Sequence, residues 1–212
     1  MSGIRDRVLS TLAGQLGRPH GLFGKGVAHF LNLGNKAMIE SSVRAADPAH
    51  GARVADIGFG GGVGLTLLLD AVGADGVVHG VEVATDMLTR ARAAHTAPIT
   101  AGRLTLTEGS MTSLPLETDS LDAAITVNTI YFVPDLDTAA TELARVIRPG
   151  GTAVIGIGDP DTMSRIPLTR YGFTLRPVPD VIAALERAGC KVEHRPVAHK
   201  PIPYHLLIAR PN

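Results

Sequence analysis

Between residues 53 and 158 the chain alternates short apolar runs with stretches whose apolar residues recur every three or four positions. "RVADIG" (53–58) is short, apolar and closed by glycine, the pattern of a buried parallel strand. "VGLTLLLDAVG" (63–73) has helical spacing and ends at Gly73. "GVVHGVEV" predicts a second strand and "TDMLTRARAAH" a second helix, with Thr85 placed to cap it. "RLTLTEG" and, after the turn-rich "SLPLETDS", "LDAAITVN" predict strands three and four. "DTAATELARVIRPGG" predicts a helix capped by Asp137 and stopped at Pro149 and Gly150, and "TAVIGIG" a fifth strand. Strands alternating with helices point to an α/β fold whose parallel sheet is covered on both faces. Ligands of such sheets sit at the carboxyl ends of the strands.

Both ends depart from this rhythm. Residues 1–50 hold two helical patterns, "IRDRVLSTLAGQL" and "NKAMIESSVRAAD", around the glycine-rich "GRPHGLFGKG", and predict an N-terminal helical cap or lid before a main domain at 51–212. The first pattern carries an apolar stripe (Ile4, Val8, Leu9, Leu12, Leu16) suited to docking on the core, to a lid or to a dimer contact. An aperiodic excursion covers about 158–177, followed by a helix ("VPDVIAALERAG") and two strands ("CKVEHRPV", "YHLLIAR").

The loop after strand one carries the candidate chemistry. Glycines stand at 58, 60, 61, 62 and 64, so a ligand can approach bare backbone there. A dinucleotide fingerprint begun at Gly58 would need a small residue at 63, where Val63 stands, and a P-loop would need a lysine that the loop lacks. Asp56 at the loop's mouth repels a pyrophosphate and welcomes an ammonium group. Glu82, ending strand two, is placed to accept the hydroxyls of a ribose. S-adenosylmethionine has both an amino-bearing tail and a ribose.

"VADIGFGGG", "HGVEVATDML", "EGSMTSLPLETDSLDAAITVN" and "ELARVIRPGG" together resemble the class I S-adenosylmethionine-dependent methyltransferases, and most of all the small bacterial branch that includes the ubiquinone and menaquinone biosynthesis methyltransferases. The resemblance runs from about residue 20 to the C-terminus. It implies a three-layer, Rossmann-like, seven-stranded sheet ordered 3-2-1-4-5-7-6 with the last strand antiparallel. By position, Asp56, Gly58, Phe59, Gly60 and Gly62 would hold the methionine part, Glu82 the ribose, and Val83 and Met87 would flank the adenine. Ser110 and Met111 stand where the family often has an aspartate that binds the adenine amino group; the serine is a departure. Asn128 would lie where the methionine end meets the acceptor, with Asn32 and Asn35 closing over it.

The reaction implied is methyl transfer to a small-molecule acceptor, oxygen preferred slightly over carbon, nitrogen or sulfur, with S-adenosylhomocysteine as product. An oxygen acceptor calls for a general base, for which Tyr131, His20 and His29 are candidates. Arg165, Arg170 and Tyr171, with Tyr131, are candidates to meet the substrate. The stretch from Met163 onward holds eight Lys/Arg against three Asp/Glu, which suits either an anionic acceptor or a solvated basic face.

Composition narrows the classes. Twenty basic residues balance twenty acidic ones, aromatics are 4%, and "NTIY" rather than an N-P-P-Y type sequence follows strand four, all against a nucleic-acid partner. Cys190, the only cysteine, reads as core and allows neither an internal disulfide nor a cysteine-based zinc site. The histidines show no metal-ligand spacing, so no metal is expected. "MSGIRDRVLSTLAG" has no signal-peptide pattern and no run of about 18 apolar residues occurs, which favours a cytoplasmic protein, monomer or homodimer, away from membranes. A nicotinamide oxidoreductase and a cofactor-binding interaction protein without catalysis are the remaining readings.

Overall fold

The computed structural model describes residues 35–170 and 172–212. Residues 35–46 form helix α1. Then follow β1 (Arg53–Ile57), α2 (Val63–Val72), β2 (Val77–Glu82), α3 (Thr85–Ala94), the short α4 (Thr96–Thr100), β3 (Leu104–Glu108) and β4 (Leu121–Val127). A 3-10 turn (Ile130–Phe132) leads to α5 (Leu136–Val146) and β5 (Ile147–Gly158). Helix α6 (Pro160–Ser164) and a second 3-10 turn (Pro167–Arg170) precede α7 (Val178–Arg187), β6 (Cys190–Val197) and β7 (Tyr204–Pro211).

The strands form one sheet in the order β3-β2-β1-β4-β5-β7-β6. β7 runs antiparallel to both of its neighbours, and the pairs from β3 to β5 are parallel. This is the order that the resemblance implies. Alternation along each strand feeds two cores. Ala55, Ile57, Ala124, Ile155 and Leu207 face the layer of α5 and α7, whereas Val54, Ile125, Val154 and Ile208 face α1, α2 and α3. Helix α1 lies close on β5: a Cβ at Gly156 would come 3.0 Å from Ser42 Oγ and 3.1 Å from Met38 Sδ. Among the described residues no helix is long and apolar enough to cross a membrane.

Three local expectations are corrected. The cap of α5 is Asp135, whose extended backbone lets its carboxylate accept from the Thr138 amide at 3.1 Å. Asp137 lies inside the first turn and pairs with Arg187 at 2.6 Å. Thr85 is likewise already helical; the capping position belongs to Ala84, with no side-chain bond. Helix α5 ends at Val146 rather than near Gly150, because Ile147 pairs with Leu121 and starts β5. The Arg145 and Val146 carbonyls are taken by the amides of Asp119 and Ser120, so the helix end is satisfied by the turn before β4. The register then shifts between Leu121 and Ala123, absorbing residues 148–151.

Candidate active site

The carboxyl ends of β1, β2, β4 and β5 open into a cavity of about 360 Å³. Asp56, Ile57, Gly58, Phe59, Gly60, Gly61, Glu82, Val83, Met87, Gly109 and Met111 line one end of it. Asn35, Met38, Asn128, Thr129, Tyr131 and Gly158 line its middle, and the excursion and the β6–β7 loop its far end.

The glycine loop is shaped by close approach. Gly58 has φ +73° and passes Thr129, whose Oγ1 would lie 2.4 Å from any added Cβ. Gly60, at φ +51°, has open space where a side chain would stand, and its amide donates to Glu82 Oε2 at 2.9 Å. The Val83 and Ala84 amides donate to Glu82 Oε1 at 2.8 and 3.0 Å. Three backbone donors thus hold a buried carboxylate at the mouth of the loop; Oε1 accepts two of them, and Oε2 keeps lone-pair capacity for a sugar hydroxyl.

Asp56 differs. Its side chain lies against the start of α2, where a Cβ at Gly64 would meet Oδ2 at 2.1 Å. No described residue donates a hydrogen bond to this carboxyl. Burial, with the nearby Glu82 charge adding, pushes its pKa from 3.8 up to about 8. A buried acid without a hydrogen-bond partner among the described residues, beside a second acid, suits a cationic ligand group and opposes a pyrophosphate. The donor set therefore fits the ammonium and ribose of S-adenosylmethionine.

Asn128 closes β4 at φ +56°, a backbone conformation that asparagine tolerates better than most residues. Its Nδ2 donates to Asn35 Oδ1 at 2.9 Å, and its Oδ1 accepts from the Gly158 amide at 3.2 Å. Asn35 and Asn128, 93 positions apart, are thus joined at the cavity, while Asn32 lies outside the described residues. Gly62 and Ser110 flank the lining without entering it; Ser110 Oγ bonds with Thr112 Oγ1 at 2.9 Å.

Of the proposed bases, His20 and His29 lie outside the described residues, as does Tyr171. Tyr131 lines the cavity but is 2% exposed. Its hydroxyl accepts from the Gly158 amide at 2.8 Å and reaches the Gly158 carbonyl at 3.3 Å. Burial raises its pKa well above the ordinary value, with Gly158 opposing and Asp159 adding. A phenol so held orders the chain and is poorly suited to take a proton near neutrality. Arg165 and Arg170 are exposed and do not line the cavity, because the excursion turns Met163, Ile166, Thr169 and Phe173 inward. Arg176 donates to the Ile130 and Val133 carbonyls at 2.6 and 2.5 Å, pinning the 3-10 turn that carries Tyr131.

The lining residues absent from the sequence reading are those of α1 (Met38, Ile39), the excursion, and the β6–β7 loop, including His199 and Ile202. Nothing in their local sequence marks them. Among the described residues no cluster of histidine, cysteine and acids could hold a metal ion.

Residues 55–155 match the family model described as a methyltransferase domain. A protein in transposon TN4556 of Streptomyces fradiae is 36% identical over 120 residues, 57% of this chain and 34% of that protein. An O-methyltransferase of Penicillium expansum is 27% identical over 166 residues, 76% of this chain and 59% of that one. The chain thus spans about half the length of the curated relatives it matches. In fold it is similar to a chain of the complex between the Haloferax volcanii Trm112 methyltransferase activator and a methyltransferase, with a TM-score of 0.79 over 95% of this chain and 98% of that chain at 19% identity.

Proposed function

We propose that the chain, whose residues 55–155 match a methyltransferase-domain model, is a class I S-adenosylmethionine-dependent enzyme that transfers a methyl group to a small-molecule acceptor, with oxygen as the receiving atom. The observation that carries this reading is the pair of buried carboxylates at the glycine loop, one held by three backbone amides and the other without a hydrogen-bond partner among the described residues. When bound, the cofactor supplies an electrophilic sulfonium methyl. The protein's own residues do the rest. Asp56 draws the ammonium group, Glu82 takes the ribose hydroxyls, and Val83 and Met87 flank the adenine. The bridge Asn35–Asn128–Gly158 fixes the boundary between cofactor and acceptor. Closure of the cavity by α1 excludes water, and alignment of acceptor and methyl at about 3 Å supplies much of the rate. The relative from Penicillium expansum bears the name O-methyltransferase, which supports the choice of oxygen.

Calorimetric titration with S-adenosylmethionine and S-adenosylhomocysteine tests the reading. The native protein binds both at micromolar concentration, and Glu82→Ala weakens both at least tenfold, about 1.4 kcal/mol. Absence of binding by the native protein, or binding of a nicotinamide dinucleotide in its place, overturns it.

A further inference from the structure

Beyond Asn128 the cavity continues to the end of β5 and the start of β7, and its walls there become apolar. Phe132 and Phe173 pack with ring centroids 4.8 Å apart, and Phe173 lies 5.7 Å from Tyr131. Met163, Ile166 and Ile202 complete this lobe.

The few polar side chains that reach the lobe are nearly all committed within the chain. The Tyr131 hydroxyl is held by Gly158. Thr169 Oγ1 donates to the Met163 and Ile166 carbonyls, both at 2.8 Å. The Tyr204 hydroxyl bonds with Ser41 Oγ at 2.8 Å. His199 is the exception: its ring nitrogens bond to no described side chain or carbonyl. Its position is set instead by packing on Tyr204, ring centroids 5.6 Å apart. Tyr204 in turn pairs with Gly158, the residue that Asn128 holds. His199 is therefore tied, through two packed or paired residues, to the boundary between cofactor and acceptor, and it is half-exposed.

We infer that the acceptor is a largely apolar, uncharged molecule bearing one acidic hydroxyl, a phenol or an enol, and that the His199 imidazole hydrogen-bonds that hydroxyl and takes its proton. The inference deepens the methyl-transfer reading and rests on it. An anionic acceptor would find no cation in this lobe among the described residues, since Arg165 and Arg170 face outward and Arg176 is spent on backbone carbonyls. A charge placed there would be desolvated without compensation. A neutral phenol loses little on entry, and its one polar group meets the one uncommitted ring. In the transfer the acceptor oxygen forms its bond to the methyl carbon as the sulfur–methyl bond breaks, and that electron pair stays on sulfur. The hydroxyl proton ends on the imidazole, from which water at the half-exposed edge removes it.

The test uses the complete chain with S-adenosylhomocysteine bound, and three probes of one shape: 1-naphthol, naphthalene and 1-naphthoate. Calorimetry of the native complex yields 1-naphthol binding at least tenfold tighter than 1-naphthoate. The native complex also binds 1-naphthol more tightly than naphthalene, and His199→Gln reduces this second preference while S-adenosylhomocysteine affinity stays within twofold. With S-adenosylmethionine, His199→Gln lowers kcat for 1-naphthol by 10²- to 10⁴-fold, the range of a lost general base. Tighter binding of 1-naphthoate, binding of none of the three, or an unchanged kcat in His199→Gln overturns the inference while leaving the methyl-transfer reading in place. Failure of the native protein to bind S-adenosylhomocysteine overturns both.

Discussion

Asp56 shows how a single buried group links ligand choice to pH. Its carboxyl titrates at 3.8 in the unfolded chain and at about 8 in the folded one. Between those values the folded state holds the extra proton. The stabilisation from this group is complete below the unfolded pKa and is lost as pH rises through the folded one, at up to about 1.4 kcal/mol per pH unit. Urea denaturation of the cofactor-free protein at pH 5 and pH 8 reads this directly: the native protein loses stability over the interval, and Asp56→Asn loses less. Equal losses in the two proteins would show the carboxyl to be ionised throughout. A cation favours the ionised form, so affinity for S-adenosylmethionine rises from pH 6 to pH 8 and the rise vanishes in Asp56→Asn. Gly64 belongs to the same device. A methyl group there would press on Asp56 Oδ2, so Gly64→Ala weakens cofactor binding. Calorimetry at pH 8 measures the loss, roughly tenfold if the carboxylate shift costs about 1.4 kcal/mol.

Among the elements, the connections rather than the strands line the far end of the cavity, the proposed acceptor side. The 3-10 turn Ile130–Phe132 brings Tyr131 and Phe132 to the cavity and is held by the Arg176 guanidinium, 46 positions away from Ile130. Arg176→Ala leaves the Ile130 and Val133 carbonyls without their charged donor and costs about 2 kcal/mol of stability, measured by urea denaturation. Because the turn lines the acceptor end, the same variant loses acceptor affinity with cofactor affinity unchanged; equal losses for both ligands would contradict this. A comparable clamp shapes the loop before β4. Arg145 donates to the Leu114 and Leu116 carbonyls at 3.1 and 2.9 Å, and Glu142 accepts from the Leu114 amide at 2.7 Å. The Arg145 guanidinium and the Leu114 amide hold the Glu142 carboxyl below its ordinary range.

For the whole molecule, a ligand that binds only the folded state stabilises it by mass action. S-adenosylhomocysteine at a hundredfold excess over its Kd adds about 2.7 kcal/mol. For a chain of 212 residues that raises Tm by roughly 5–11 °C, which thermal unfolding with and without the ligand measures, and a tenfold loss of affinity in Glu82→Ala removes about half of the shift. The sequence by itself determined the glycine-loop end of the cavity, the proposed cofactor half: strand periodicity, glycines that the structure places at positive φ (58, 60 and 62), and acids at two strand ends are local features. Strand order followed from the family resemblance of those same motifs. The caps of α3 and α5 and the end of α5 were misplaced because a shift of one or two residues in an N-cap, or one long-range pair such as Leu121–Ile147, leaves the pattern almost unchanged. Only the tertiary structure decided the far end of the cavity, the proposed acceptor half. Its walls come from α1, the excursion and the β6–β7 loop, segments more than a hundred residues apart in part, and their inward residues follow no period. Whether an arginine meets a ligand or a backbone carbonyl, and whether a histidine faces water or a cavity, depends on which surfaces fold against it. Arg165 and Arg170 stand outside the cavity, Arg176 is spent on backbone carbonyls and His199 lines the cavity for that reason alone.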